Sequence, residues 1–346
     1  MTTWLQFLAR NGAKTNDGAL LSVADVHDEP TPLTNFVAPL TDLGLIAFTG
    51  EEAAHFLHNQ LTNDVEHLTQ NDARLAGYCS PKGRLLATFL MWRTADTIFL
   101  ELPRALQAAI QKRLQMFVMR AKAKLLDVTE SNVILGLVGP KVATALAGAF
   151  PVLPTSPYAK VESPAGTLIR VADALDAPRY QWITTDAIAS ELWPTLAQAL
   201  QPADADTWRL SEIHAGVPHI TAATQEQFVP QMINYELIGG VNFKKGCYPG
   251  QEIVARSQYL GKLKRRMMLA TVPAGDVQPG QEVYAAVDPD QPCGMIVNAE
   301  RLSATEFACL VEVKVAAVDA GTIHVGSAGG AALQFQPLPY ALTDPA

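Results

Sequence analysis

Val241-Asn-Phe-Lys-Lys-Gly-Cys-Tyr-Pro-Gly-Gln-Glu-Ile-Val-Ala-Arg256, running on through Tyr259-Leu-Gly-Lys-Leu-Lys-Arg-Arg266, is the stretch around which the rest of the chain is organised. It holds seven cations (Lys244, Lys245, Arg256, Lys262, Lys264, Arg265 and Arg266) against one acid, Glu252, in a chain of net charge −8. Such an island in an acidic protein reads as a local attraction for an anion, not as a general nucleic-acid surface. Gly246 and Gly250 bracket Cys247-Tyr-Pro and let the backbone turn tightly around the thiol. Pro249 pushes Tyr248 to an extended conformation, and Gln251-Glu252 suits the first turn of a helix over 251–258. Cys247 is therefore expected just before a helix N-terminus with two lysines beside it, a setting that activates a thiol. The competing reading is a small buried hydrophobe in a turn.

The chain has 346 residues, 49% of them apolar and 17% charged. That is enough for two or three domains with cores of their own. No window approaches the eighteen apolar residues of a membrane span, and Met1-Thr-Thr-Trp-Leu-Gln-Phe-Leu lacks the pattern of an export signal. A cytoplasmic location and free thiols are expected. The cysteines at 79, 247, 293 and 309 are too dispersed for a zinc ribbon or a locally ligated cluster. Nucleotide-binding loops, nucleophile elbows and zinc-protease signatures are absent.

Upstream, Trp4, Leu5, Phe7 and Leu8 read as an amphipathic start, followed by a turn-rich arm through residues 28–32. The short apolar run 43–49 predicts a strand and the next residues a helix with Phe56 and Leu57 on one face. Residues 73–79 and 84–92 predict a hairpin around Ser80-Pro-Lys-Gly83, and 97–102 a strand leading into a helix to about 117. Residues 132–200 predict a strand, a helix at 140–149, three strands and a helix from Asp186 that Pro194 kinks. Trp208 to Gly216 predicts a helix, and the Gly- and Pro-punctuated strands after Arg266 a small antiparallel barrel. Of the seven histidines, His55 and His58 are spaced for one helix face, and His214 and His219 flank Gly216 and Pro218.

Lys-Gly-Cys-Tyr-Pro-Gly-Gln-Glu (245–252) closely resembles the signature of the YgfZ-type folate-binding proteins, relatives of the glycine-cleavage T protein. Gln-Leu-Thr-Asn-Asp-Val (60–65), Gly-Tyr-Cys-Ser-Pro-Lys-Gly-Arg (77–84), Arg-Leu-Gln-Met-Phe-Val (113–118) and the run from Trp208 to Pro218 are similar to the same family. The resemblance implies an α+β, T-protein-like (aminomethyltransferase folate-binding) architecture. A folate-binding domain would be assembled from 35–130 plus 205–262, with a ferredoxin-like insertion at 131–204 and a C-terminal antiparallel β-barrel at 263–340. It implies a tetrahydrofolate-binding accessory factor supporting assembly or repair of iron–sulfur enzymes, such as radical tRNA-modifying enzymes.

On that resemblance Trp208 is the aromatic platform for the pterin. Asn63, Asp64, Gln231 and Asn234 are candidates to read its amino-pyrimidine edge, and Lys82, Arg84 and Lys245 to hold the anionic tail. Cys247 is the candidate reactive residue; no metal ligands are assigned. The sequence departs from the family at three places. His214 stands where relatives carry Glu, with Glu212 close by. Leu43 replaces an aromatic, leaving an apolar wall. Arg84-Leu-Leu-Ala-Thr88 lacks the aspartates that serve one-carbon transfer. This last departure argues against the alternative of a folate-dependent one-carbon (aminomethyl) transferase. A second alternative, an RNA-binding module on the 244–266 segment, is opposed by the acidity of the remaining chain. No membrane partner is expected.

Overall fold

The structure is a computed structural model that describes residues 2–16, 19–23, 34–118, 121–259, 263–273 and 275–343. The turn-rich arm at 28–32 and Lys262 of the basic segment lie outside the described residues.

Besides a two-stranded sheet of Lys14–Asn16 and Ala19–Ser22, three large sheets organise the described residues. The first is a five-stranded antiparallel sheet built from Leu43–Thr49, Ala73–Cys79, Leu85–Arg93, Thr97–Pro103 and Lys124–Asp127. Helix Arg104–Phe117 buries Leu106, Ile110 and Leu114 against it, positions spaced four residues apart along one face.

The second sheet is where Phe36–Pro39 belongs. It pairs antiparallel with Val133–Val138 and parallel with the short strand Gln201–Pro202. Lys160–Ser163, Gly166–Ala174 and Ala177–Thr184 complete six strands. Their order is that of a ferredoxin-like unit with Phe36–Pro39 slotted between its first and last strands. Strand periodicity splits the residues of Ala177–Thr184 between two faces. Tyr180 and Trp182 join a core with Trp4, Leu8 and Trp193 of the helices Thr3–Arg10 and Asp186–Ala199. Arg179 and Gln181 point the other way, towards the central core. The helix expected over 140–149 is only Val142–Ala145, with β-branched Thr144 inside it and Gly148 and Pro151 soon after. Helix Asp186–Ala199 runs through Pro194.

The third sheet comprises Arg265–Pro273, Glu282–Ala285, Asp288–Ser303, Glu306–Lys314, Ile323–Val325 and Gln334–Gln336. It is antiparallel throughout and curls until its edges meet, where the Leu333 amide donates to Ile323 O at 2.8 Å. No described helix is long and apolar enough to cross a membrane.

Candidate functional site

Helix Ala205–His214 lies between the second and third sheets. Burial of Trp208, Leu210 and Ile213 fixes its rotation. Beside it opens a cleft of about 570 Å³, whose walls include Leu43, Gln181, Trp208, Glu212, His219 and Asn298. That size suits a small organic ligand. At the mouth, Arg209 is paired with Asp42 from one side and Glu300 from the other. Burial works against its charge, but the two carboxylates outweigh it and raise its pKa.

The wall behind Trp208 is an electrostatic assembly. The Arg179 guanidinium lies 4.3 Å from the centre of the Trp208 ring and pairs with Glu212, one helical turn further on. His219 Nε2 is 3.5 Å from the other Glu212 oxygen, and Arg179 also donates to Ala172 O at 2.9 Å. Burial pushes the Glu212 pKa up, but the Arg179 charge and the His219 hydrogen bond prevail and hold it at about 2. Trp208 can lie this close to the sheet because residue 136 is glycine. A Cβ there would fall 2.3 Å from the ring, and Gly136 is the cross-strand partner of Gln181.

Inward, the cleft meets a chamber of about 20 Å³ that shares Gln181, Glu212, Val217 and His219 with it and adds Thr88 and Glu101. Gln181 Nε2 donates to Glu101 Oε1 at 3.0 Å. Glu101 Oε2 and Gln181 Oε1 are buried without a hydrogen-bond partner among the described residues. Burial, more than the nearby charges of Glu212 and Asp42, pushes the Glu101 pKa up to about 8, so at neutral pH it is largely the uncharged acid.

The motifs at 60–65, 77–84 and 245–252 meet elsewhere, on one surface. Thr62 Oγ1 accepts from the Gly77 amide at 2.7 Å, and the Asn242 amide donates to Thr62 O at 2.9 Å. Asn63 Nδ2 donates to Leu75 O and Gly239 O, both at 2.7 Å. The loop at 80–83 packs on the Pro249-Gly250 turn so closely that a Cβ on Gly250 would lie 2.4 Å from Ser80 O. Lys245 Nζ donates to His58 O and, at 2.9 Å, to Leu61 O, and sits 4.8 Å from the centre of the Tyr248 ring. Burial lowers its pKa to about 8, with Asp64 and then Cys247 opposing. Asp64 itself lies between His58, at 3.1 Å, and His67, at 2.8 Å. Cys247 is exposed beside this lysine, ahead of helix Gln251–Tyr259.

The comparisons agree with this architecture. Residues 37–162 match the GCVT N-terminal domain model. The tRNA-modifying protein YgfZ of Photorhabdus laumondii is 30% identical over 322 residues, covering 90% of this chain and 96% of that one. The chain belongs to the YgfZ family. The YgfZ of Serratia proteamaculans, also called a tRNA-modifying protein, is 29% identical over 316 residues, 90% of this chain and 94% of its own. Among solved structures, the glycine cleavage system aminomethyltransferase T of Bartonella henselae superposes with a TM-score of 0.75 at 17% identity, over 99% of this chain and 98% of that one. The T-protein-like fold is thereby shown.

Within this YgfZ-family chain the residues singled out by sequence divide sharply. Trp208 and Leu43 line the cleft. Asn63, Asp64, Lys82, Arg84, Gln231, Asn234, Lys245 and Cys247 are not among the residues of its walls or of the inner chamber. Gln231 Nε2 donates to Val254 O at 2.7 Å and Asn234 Nδ2 to Met267 O at 2.8 Å, both from buried positions. Arg84 donates to the carbonyls of Glu226 and Gln227, and Lys82 is exposed. Two cations of the basic segment are committed to carboxylates: Arg265 to Glu312, and the buried Arg266 to Glu236.

Sequence reading missed Arg179, Gln181 and Glu101. The signal was present but faint: polar residues inside otherwise apolar strands, Glu101 between Leu100 and Leu102 and Arg179 and Gln181 alternating with Tyr180 and Trp182. The stretch 84–88 does lack an acid, yet Glu101, on the next strand, supplies one in the chamber that Thr88 also lines.

Proposed function

We propose that this protein binds tetrahydrofolate or a folate derivative in the central cleft and acts as a cytoplasmic accessory factor supporting assembly or repair of iron–sulfur enzymes, including those that modify tRNA. The observation that carries the reading is the cleft itself. It is large enough for a flat heterocycle with a tail, has an apolar wall at Leu43 and Val277, and ends inwardly in buried polar atoms without partners. The relatives' name and the T-protein-like fold supply the context.

Folate would contribute a one-carbon carrier, and this chain's residues bind and orient it. Arg179 already occupies the Trp208 ring at 4.3 Å, so Trp208 serves as a rigid wall held by a cation. Of the arginines lining the cleft, Arg209 is already held between Asp42 and Glu300, whereas Arg301 donates to a carbonyl, Ala304 O, and is the group placed to meet an anionic tail, in place of Lys82, Arg84 and Lys245. Cys247 lies exposed on the motif surface, where its thiol is accessible to a partner enzyme. Two sites, one for folate and one for a partner, is the arrangement an accessory factor requires.

Calorimetric titration of tetrahydrofolate into the wild type, Trp208→Phe and Lys245→Ala proteins tests the first half. Saturable binding weakened by Trp208→Phe and indifferent to Lys245→Ala supports the cleft; no saturable binding to the wild type removes the folate reading. For the second half, Cys247→Ser is expected to fail in restoring a cluster-dependent tRNA modification to a deletion strain. Full restoration would strip the thiol of its role.

A further inference from the structure

Buried polar atoms in folded proteins are almost always paired, and an unpaired one beside a cavity marks a place where something else supplies the partner. Two such atoms, Glu101 Oε2 and Gln181 Oε1, belong to side chains that are 3% exposed and already joined to each other by the Gln181 Nε2–Glu101 Oε1 hydrogen bond at 3.0 Å. That bond fixes the orientation of both. Using Gln181 Nε2 as donor leaves its carbonyl oxygen as an acceptor, and using Glu101 Oε1 as acceptor leaves Oε2 as the second free position.

The surroundings decide what Oε2 offers. Among the described residues no arginine or lysine is bonded to Glu101. The charged neighbours felt at its carboxyl are Glu212 and Asp42, both acids, and Arg179 is taken up by Glu212. Tyr158, Tyr235, Thr88 and His219 are the remaining polar residues of the chamber wall, and the rest of it is apolar. Thr88 Oγ1 accepts from the Ile220 amide at 3.1 Å, Tyr235 Oη donates to Ala76 O at 3.1 Å, and His219 faces Glu212. A buried carboxyl with no cation keeps its proton, and with Oε1 accepting from Gln181 that proton sits on Oε2. The pair therefore shows the cleft a donor next to an acceptor.

We propose that Glu101 and Gln181 are the specificity-determining pair of the cleft and bind the lactam edge, a C=O beside an N–H, of an oxo-pyrimidine ring. The inference rests on the folate reading and deepens it. Oxo-pterins carry this edge, with the carbonyl accepting from Glu101 and the ring N–H donating to Gln181. A 4-amino analogue presents the reverse order and sets donor against donor and acceptor against acceptor. The inner chamber, about 20 Å³, has room for one such polar edge or one water molecule and no more.

Folic acid and aminopterin differ only in the 4-oxo and 4-amino groups, so their relative affinity reads this pair directly. By calorimetry the wild type is expected to prefer folic acid by at least roughly tenfold, as for sites that reject a ligand unable to satisfy their polar groups. Glu101→Gln, which keeps an N–H donor at the same place, is expected to retain the preference. Glu101→Leu and Gln181→Leu are expected to bring the two affinities within about twofold of each other. Equal affinities in the wild type, as when the pair holds only an ordered water, overturn the proposal whether or not the leucine variants fold. Loss of the preference in Glu101→Gln together with its retention in Glu101→Leu would also overturn it. If the wild type binds tetrahydrofolate yet ignores the 4-substituent, the pair's role fails and the folate reading stands. If it binds neither tetrahydrofolate nor folic acid, both fail.

Discussion

Arg179 and Trp208 meet across the boundary between the second sheet and the helix of the cleft, guanidinium carbon to ring centre 4.3 Å, with the same guanidinium neutralising Glu212 on that helix. One fully buried cation thus fixes the ring, holds a buried carboxylate in its charged form and ties two layers together. Removing it should be costly. Arg179→Met leaves the buried Glu212 with only His219, at 3.5 Å, to face its charge, and the expected loss is about 3–5 kcal/mol in urea unfolding. The double variant Arg179→Met, Glu212→Leu should recover most of that loss, because no orphan charge remains.

Acid stability follows from Glu212. Its native pKa of about 2 lies below the ordinary 4.5, so the unfolded state binds the proton first as pH falls. The stabilisation is complete above pH 4.5 and is lost between 4.5 and about 2. Glu212→Gln should flatten the stability profile over that window, measured as thermal midpoints against pH.

Glu101 acts with the opposite sign. With its native pKa raised to about 8, both states hold the proton below pH 4.5, and between 4.5 and 8 only the unfolded chain releases it. Stability therefore falls as pH rises through this range, and the penalty is full above pH 8. Glu101→Gln should remove a cost on the order of 2–4 kcal/mol at pH 8.5, seen as a rise in unfolding midpoint over the wild type that shrinks towards pH 5. The acids Glu212 and Asp42 act on this titration from neighbouring elements, and Gln181 through its hydrogen bond.

Gly136→Ala probes the packing of the cleft wall. A methyl group 2.3 Å from the Trp208 ring forces the ring or the strand to move, with an expected cost of about 1–3 kcal/mol. Tetrahydrofolate affinity should drop in parallel, and near-ultraviolet circular dichroism should report the altered tryptophan environment.

The motif surface should separate stability from function. Cys247 is exposed, so Cys247→Ser should leave unfolding within about 0.5 kcal/mol of the wild type while abolishing complementation. Lys245→Met, by contrast, removes the ammonium that bonds His58 O and Leu61 O, and should cost about 1–3 kcal/mol.

What the sequence determined by itself was the local grammar and the lineage. The strand at 43–49, the hairpin after Ala73, the helix after Pro103 and the curled strands past Arg266 all follow from periodicity and turn residues, because those signals act between near neighbours in the chain. The motifs at 60–65, 77–84 and 245–252 marked the family, and Trp208 and Leu43 marked the cleft. Only the tertiary structure decided that the basic motif and the cleft are separate places, that Arg265 and Arg266 are committed to carboxylates, and that Phe36–Pro39 pairs with a strand about a hundred residues away. It alone joined Glu101, Arg179, Gln181 and Glu212, drawn from three elements of three different segments. The reason is physical. Whether a polar side chain in an apolar strand finds a partner, a proton or a ligand depends on what the opposite face brings within about 3 Å, and no spacing along the chain records that distance.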